Sequence, residues 1–321
     1  MVWWWLASLA LAVDVRGMTV SCPTWGGEWG SDEMVATLDV LRLEGVNWVS
    51  IHPYARIFAD GTVRFRPIDP DDPPEWLVRP IREAHTRGMK ILIKPHLAYW
   101  GSPFSWRGAI EFDDPDARTR FFSTYEAWVT LLARVVSDAD AFAVGTELGR
   151  LSGEEHAWRR IISQVRQRFP GHLTYAANWD EFDRVPFWDA VDAVGIQAYF
   201  PVLDNASASA PTDSELDAGW GRILDRIRAF AARTDRPIVF TELGYDWSVE
   251  APVEPWATGR RTAEGEAVQR ALLRAAMRAI EREPRVVGAF LWKWFPGERQ
   301  HGDFRMSSPD NRAVIREMWK R

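Results

Sequence analysis

Cysteine and lysine are scarce in this chain of 321 amino acids. The single cysteine, Cys22, has no partner for an intrachain disulfide and excludes a cysteine-based zinc cluster. Only four lysines are present, the net charge is −6, and the 39 lysine and arginine residues are dispersed among 45 acidic residues. The sequence therefore lacks the clustered basic surface that phosphate backbones require. No G-x-G-x-x-G motif follows a strand-like segment, which disfavours a dinucleotide enzyme. These absences predict a neutral or weakly charged ligand and no nucleic-acid partner.

Histidine and the acidic residues show no metal-binding pattern either. The six histidines form neither H-x-x-x-H nor H-x-H. The acidic segment at residues 69–72 contains a proline and lacks the glycine of a calcium loop, so a solvated turn is predicted there. The sequence therefore predicts no metal site and no cofactor.

The N-terminal segment is apolar but short. Residues 1–12 read MVWWWLASLALA, a stretch too short to span a bilayer comfortably that ends in a small-x-small pattern typical of signal-peptidase sites. Its only charge is the α-amine, whereas export signals usually begin with basic residues. We expect residues 1–16 to be a signal peptide or N-terminal anchor of an exported protein. A segment capping the fold is the alternative, and a cytoplasmic location stays open.

Strand-like and helix-like segments alternate along the remaining chain. Runs rich in β-branched or aromatic residues predict eight strands, at Met18–Cys22, Trp48–His52, Lys90–His96, Ala141–Glu147, His172–Asn178, Ala193–Tyr199, Pro237–Glu242 and Val286–Trp294. Amphipathic segments predict helices at Asp32–Glu44, Glu75–Arg87, Ala117–Ser137, Glu154–Arg168, Leu216–Arg233 and Gly265–Glu283. Eight such β-then-α units predict an α/β fold, a single-domain (β/α)8 TIM barrel over residues 17–321.

Glycine and loop composition add two details to that prediction. Gly45, Gly88 and Gly171 occupy positions where helices are expected to stop. The stretch 201–219, rich in Ala, Ser, Pro and Asp, predicts a long loop after the sixth strand that overhangs the active face of the barrel.

Tryptophan is the compositional excess, with 19 residues. An indole offers an amphipathic face on which sugar rings stack, although a buried indole can equally serve the core. Trp25 and Trp179 follow predicted strands and are expected to bind substrate. Either binding or packing fits three further loop tryptophans, Trp100, Trp106 and Trp247. Core or helix-to-barrel packing is expected for those in or beside helices, Trp158, Trp188, Trp220 and Trp319.

Two strand-like runs end in the same four residues, Thr-Glu-Leu-Gly. They place Glu147 and Glu242 at the C-terminal ends of the fourth and seventh predicted strands, where parallel barrels carry their catalytic groups. Strand alternation puts Glu147 on one face with Ala143 and Gly145, as expected for a barrel interior. Two facing carboxylates are what glycoside hydrolysis uses, one as acid and one as nucleophile.

Other polar and aromatic groups collect at the same strand ends. His52 and His96 end the second and third predicted strands and could each bond a sugar hydroxyl, although a histidine at a strand end is also often a rim residue whose hydrogen bonds are already satisfied. Asn178, Tyr199 and Trp292 lie at or near the ends of the fifth, sixth and eighth. We expect these residues to contribute to one substrate-binding site.

Six segments together resemble glycoside hydrolase family 113 and its relatives, which are retaining β-mannanase-like enzymes of a large barrel clan. They are KPHLAYW, VGTELGR, TYAANWDEF, QAYFP, FTELGY and LWKWFP, and the resemblance covers about residues 17–321. It implies Glu147 as acid/base, Glu242 as nucleophile, Tyr199 beside the nucleophile and Trp292 as the platform under the reacting sugar. One position departs from the clan, which has Asn where this chain has Thr146.

The resemblance implies a carbohydrate substrate, with β-1,4-mannan or glucomannan expected first. In the clan the Asn amide bonds the sugar 2-hydroxyl, and Asn178 is an alternative donor here. The Thr146 departure therefore leaves the preferred C2 epimer open, and β-glucan or xylan remains an alternative substrate.

Two alternatives lie outside this reaction class. A non-catalytic carbohydrate-binding barrel would keep the tryptophans without turnover. Lys94 shares a strand face with His96 and could form a Schiff base as in barrel aldolases, but that interpretation leaves the paired glutamates unexplained.

Overall fold

A computed structural model describes residues 14–205, 211–297 and 303–320, so residues 1–13 of the signal segment predicted at residues 1–16 lie outside the described residues. The strands are β1 (Val15–Val20), β2 (Trp48–Ile51), β3 (Tyr54–Ile57), β4 (Val63–Arg64), β5 (Lys90–Ile93), β6 (His96–Ala98), β7 (Ala141–Thr146), β8 (His172–Asn178), β9 (Ala193–Gln197), β10 (Ile238–Leu243) and β11 (Val286–Trp294).

Eight of these strands close into a parallel barrel in the order β1, β2, β5, β7, β8, β9, β10, β11. The single-domain (β/α)8 prediction is confirmed. The predicted bounds of the fifth and eighth barrel strands coincide with β8 and β11. The first begins three residues earlier than predicted, because Gly17 belongs to the strand: a Cβ there would lie 2.5 Å from the Phe290 ring inside the barrel.

The third predicted strand, Lys90–His96, is divided in the structure. Its first part is β5, and its last residue begins β6, which pairs with β3 in a small separate sheet that also contains β4. Pro95 lies between the two parts and has no N–H with which to continue the barrel ladder. This sheet was not predicted, and it places the chain after His96 over the mouth of the barrel.

Seven helices are present among the described residues, one more than predicted. They are α1 (Asp32–Leu43), α2 (Glu75–Thr86), α3 (Pro115–Val135), α4 (Glu155–Arg166), α5 (Asp213–Ala231), α6 (Ala263–Glu281) and α7 (Pro309–Trp319). The additional helix α7 begins with Pro309 after Ser308, whose hydroxyl accepts the Asn311 N–H, so a capping signal was present in the sequence. None of the described helices is long and apolar enough to cross a membrane.

Two loop predictions need correction. The stretch 201–219 is not all loop, because Thr212 and Glu215 form a capping box that starts α5 at Asp213. Gly45 and Gly88 follow α1 and α2 with positive φ values of 94° and 68°, as helix-ending glycines do. Gly171 does not act this way, since α4 has already ended at Arg166.

The main core lies between the barrel and its helices. A smaller, separate apolar cluster consists of Leu92, Ala143, Val239 and Phe290, all four on barrel strands. Trp158, Trp188 and Trp220 are buried and Trp319 packs against the core, as predicted. The predicted shared face of Ala143, Gly145 and Glu147 is wrong. The pairing of β7 with β8 shifts register between Ala143 and Thr146, and a Cβ on Gly145 would meet Tyr175 and Trp158 instead.

Candidate active site

A cavity of about 640 Å³ opens at the C-terminal ends of the barrel strands. Six of the nine residues predicted for the site line it, namely Glu147, Glu242, Asn178, Trp179, Tyr199 and Trp292. Its further lining residues are Tyr99, Trp106, Arg107, Asp180, Trp256, Thr258, Lys293, Asp303 and Phe304. The volume falls within the range of about 300–1,000 Å³ that is usual for small-molecule sites.

Glu242, near the end of β10, is a buried carboxylate with several hydrogen-bond donors. Lys94 forms an ion pair with its Oε1, and Tyr199 donates from its hydroxyl to Oε2 at 2.7 Å. The Nε2 atom of His96 lies 3.6 Å from Oε1. Burial alone would raise the pKa of Glu242, but the Lys94 ammonium and hydrogen bonds from Lys94, Tyr199 and Gln197 outweigh it and lower the pKa. Glu242 is therefore held as an anion.

Lys94 is the ion-pair partner of Glu242 and is not a free amine. Its side chain is fully buried, and its Nζ forms the ion pair with Glu242 Oε1. Burial lowers the pKa of Lys94 from its ordinary value, while the Glu242 carboxylate acts against that decrease. Because Nζ is occupied and lies outside the cavity lining, the geometry offers nothing to the Schiff-base alternative.

Glu147 directly follows β7 and has a positive φ of 57°, a conformation that costs a residue with a Cβ about 1–2 kcal/mol. Its backbone N–H still donates to Ala176 O at 2.9 Å, so the strand pairing is kept while the side chain is redirected. Backbone strain of this kind concentrates at functional sites. It explains how Glu147 reaches the cavity despite the register shift in β7.

Arg107 is the contact of Glu147 that the sequence did not reveal. Its Nε donates to Glu147 Oε2 at 2.8 Å and its Nη2 donates to the same oxygen. Burial would lower the pKa of Arg107, but the carboxylates of Glu147 and Glu242 raise it. Arg107 begins a short 3-10 turn, Arg107–Ala109, in the long connection after β6, where periodicity gives no signal.

Gln197 at the end of β9 links the two carboxylates. Its Nε2 lies 3.4 Å from Glu147 Oε1, and it also hydrogen-bonds Glu242. Thr241 donates to the Gln197 side-chain oxygen at 2.8 Å, which fixes the orientation of the amide. Glu147 and Glu242 thus belong to one hydrogen-bonded network at the base of the cavity.

The Thr146 position contrasts with Asn178. Thr146 is buried outside the cavity lining, and its hydroxyl has no hydrogen-bond partner within the described part of the chain. Asn178 lines the cavity and donates through Nδ2 to Glu181 Oε1 at 3.2 Å. Burial raises the pKa of Glu181. The Asn178 amide, at the end of β8, therefore lies at the cavity wall with one of its donors directed to Glu181.

Three of the predicted site residues lie outside the lining. His52 and His96 are buried, their rings stacked 4.8 Å apart between centroids, and both contact the Trp292 ring. Burial lowers the pKa of each histidine well below its ordinary value, so both are neutral. They pack against Trp292 from outside the cavity lining. Trp25 also lies outside the lining, where its ring packs edge-on against Tyr54 of β3 with ring centroids 6.0 Å apart.

The loop tryptophans divide into two groups. Trp106 and Trp256 line the cavity, whereas Trp100 and Trp247 lie outside the described lining. Trp256 was not singled out by sequence reasoning, although it follows the seventh barrel strand just as Trp247 does. No group of three or more potential metal ligands occurs among the described residues.

Comparisons with known proteins agree with this fold. A sequence model described as Glycoside Hydrolase Family 113 matches residues 18–305. A GH113 β-1,4-mannanase structure superposes with a TM-score of 0.82 at 22% identity, covering 95% of this chain and 98% of that one. For the GH113 β-mannanase AaManA from Alicyclobacillus acidocaldarius the TM-score is 0.80 at 25% identity, covering 95% and 96%.

A more distant fold match is a glycoside hydrolase family 5 mannosidase from Rhizomucor miehei. Its TM-score is 0.61 at 12% identity, with 95% of this chain and 94% of that chain covered. None of the curated proteins matches in sequence.

Proposed function

The chain belongs to glycoside hydrolase family 113, and from that premise we propose that it hydrolyses β-1,4-linked mannan or glucomannan by double displacement. The observation that carries the proposal is the pair Glu147 and Glu242 in one cavity, with Glu242 surrounded by donors that keep it ionised. A carboxylate in that state can attack an anomeric carbon.

In the first step an oxygen of Glu242 forms a bond to the anomeric carbon while the bond to the leaving sugar oxygen breaks. Glu147 donates its proton to that oxygen, so the leaving sugar departs as a neutral alcohol. Tyr199 keeps Glu242 aligned through the 2.7 Å hydrogen bond. Trp292, supported by the two stacked histidines, provides an apolar surface beneath the reacting ring.

Arg107 has a defined part in this step. It donates twice to Oε2 of Glu147, which leaves Oε1, with its long 3.4 Å contact to Gln197, as the oxygen that carries the proton. When the proton leaves, the guanidinium stabilises the carboxylate that remains. In the second step Glu147 takes a proton from water, the hydroxide attacks the anomeric carbon, and Glu242 is released.

The choice of mannan or glucomannan as the substrate rests on the family and on the amide of Asn178. An amide at this place can bond a sugar hydroxyl in the role that the Thr146 side chain does not fill. Because the clan's usual Asn is absent, a β-glucan- or xylan-directed hydrolase is the second candidate. A carbohydrate-binding barrel without turnover is the outcome that would refute the catalytic proposal.

The test is hydrolysis of mannan, glucomannan, xylan and β-glucan by the purified protein, with product profiling and proton NMR of the first anomer released. We expect mannan or glucomannan to be cleaved fastest and the first product to keep the β configuration. Glu147→Ala and Glu242→Ala should lose activity, whereas Glu264→Ala, an exposed glutamate in the first turn of α6, should retain it. An α product first, or full activity in Glu242→Ala, would contradict the mechanism.

A further inference from the structure

Two tryptophan rings lie parallel at the wall of the cavity. Trp179 follows β8 directly and Trp256 lies in the connection after β10; their ring centroids are 5.8 Å apart and their planes differ by 8°. Trp179 also packs against Phe200, with ring centroids 6.1 Å apart. Trp256 keeps 49% of its surface exposed, about what remains when a neighbour covers one face of an indole. One aromatic face is thus left open beside the catalytic carboxylates.

The chain around Trp179 holds this arrangement in place. The Nη1 of Arg226 donates to the Trp179 carbonyl at 3.0 Å, and Asp183 pairs with Arg226 at 3.2 Å. The backbone of Trp179 is therefore fixed from the α5 side, while its ring packs on Phe200. An aromatic ring held in this way loses little conformational entropy when a ligand stacks on the surface it supports.

The connection that carries Trp256 is pinned at both ends. Before it, the carbonyl of Pro252 accepts backbone N–H groups from Val202 and Leu203, at 2.8 and 3.0 Å. After it, the buried Asp246 accepts the Gly259 N–H at 2.8 Å. With its connection held at both ends and its ring stacked on Trp179, the exposed indole of Trp256 is a preformed surface, because an unconstrained indole would be expected to fold down and bury its apolar face.

Two polar residues close in sequence to the two tryptophans line the same cavity. Asp180 is adjacent in sequence to Trp179, Thr258 is two residues after Trp256, and both line the same cavity. An apolar face with hydrogen-bonding groups at its edge matches a pyranose ring, which has an apolar face and hydroxyls around its rim.

The cavity has room for more than the reacting sugar. Its 640 Å³ equals about twenty water volumes at roughly 30 Å³ each. A hexose unit within a chain has only about eleven non-hydrogen atoms, so two units fit. Trp292, the platform expected for the reacting sugar, is on β11, a different strand from those that precede Trp179 and Trp256.

We propose that Trp256, supported by Trp179, forms a second sugar subsite of this cavity and makes the enzyme select chains of several sugars over disaccharides. The inference rests on the proposed glycosidase function and deepens it. Trp256 is the specificity-determining residue, and Trp179 is the positioning residue beneath it.

The test compares Trp256→Ala with the wild type on β-1,4-linked manno-oligosaccharides of two to six units. Loss of one aromatic stacking contact predicts a decrease in kcat/KM of about tenfold for the longest substrate, growing with chain length and carried mainly by KM. Trp256→Phe should recover most of the loss. Trp100→Ala is the matched control, since Trp100 is 53% exposed and outside the described lining, and it should match the wild type. Equal losses at every length, or no loss, would overturn the inference.

Binding separates this inference from the proposed function. Calorimetric titration of mannopentaose into Glu242→Gln should give a Kd about tenfold lower than titration into the double variant Glu242→Gln/Trp256→Ala. If the wild type binds but cleaves none of the four polysaccharides, the catalytic proposal fails, while the comparison of Kd values still tests whether Trp256 forms a sugar subsite. Equal Kd values in the two variants would overturn the subsite inference. A melting curve for each variant confirms that the protein tested is folded.

Discussion

Replacing Lys94 with methionine isolates the interaction on which the state of Glu242 depends. Methionine has a similar length and no charge, so Lys94→Met removes the ammonium from a fully buried position while filling most of its space. Glu242 then keeps the hydroxyl of Tyr199 and the amide of Gln197 but loses its cationic partner.

The expected cost in stability follows from burial of the pair. Breaking a buried ion pair from one side destabilises a protein by about 3–5 kcal/mol, since an uncompensated charge is left behind. Two hydrogen-bond donors remain on Glu242, so we expect the lower end, about 3 kcal/mol. At about 2.1 cal/mol/K per residue, unfolding of the 321-residue chain has an entropy of about 0.7 kcal/mol/K, so this cost corresponds to a decrease in Tm of about 4–5 °C.

The pH dependence has a definite sign. A carboxyl with a lowered pKa in the folded state contributes stability above its unfolded pKa of about 4.3, and this contribution is lost as the pH falls through the folded value. The difference in Tm between wild type and Lys94→Met should therefore be largest at neutral pH and shrink towards acid. Because the main cause of the lowered pKa is removed, the acid limb of kcat/KM should move to higher pH.

The assay is a pH series of kcat/KM and Tm for the wild type, Lys94→Met, Glu242→Gln and the double variant. The double variant carries no charge at either position, so it should recover most of the stability lost in Lys94→Met while remaining inactive. An unchanged acid limb in Lys94→Met, together with an unchanged Tm, would refute the claim that Lys94 holds Glu242 ionised.

Substitutions at two further positions test the other contacts of the carboxylates. Tyr199→Phe removes the 2.7 Å hydrogen bond to Glu242 and should lower kcat about tenfold, as expected for a hydrogen bond to a charged group, with a smaller shift of the acid limb than Lys94→Met; an unchanged pH profile would contradict it. Arg107→Met removes both donors to Glu147 Oε2 and should lower kcat about 10- to 100-fold, with KM changed little. Arg107→Lys should recover only part of this, because an ammonium cannot reproduce two donors in a fixed fork, and full recovery would argue that charge alone matters.

The barrel could be predicted because its signals are local and repeated. Strand-like runs such as His172–Asn178 are apolar and bounded by clear breaks, and their C-terminal ends place Glu147 and Glu242 together without further information. The errors occur where tertiary contacts override local pattern. Gly17 looks like a strand break and is in fact required within β1 by the Phe290 ring.

Arg107 shows why part of the site could not be predicted. It lies in an irregular connection, and its partner Glu147 is 40 residues away, so no period or spacing joins them. The only local sign of a constrained turn next to Arg107 is Gly108, where a Cβ would lie 2.2 Å from the Trp106 ring. Likewise, nothing in the sequence separates Trp256 from Trp247; only the packing against Trp179 does so.

The central claim is that Glu242 is the nucleophile and Glu147 the acid/base, and azide rescue of the two alanine variants tests it most directly. With a β-mannoside bearing a good leaving group, azide in Glu242→Ala must attack from the face opposite the leaving group and give the α-mannosyl azide. In Glu147→Ala azide attacks the glycosyl-enzyme and should give the β-mannosyl azide. Exchange of these two anomers between the variants, or restoration of neither by azide, would contradict the assignment.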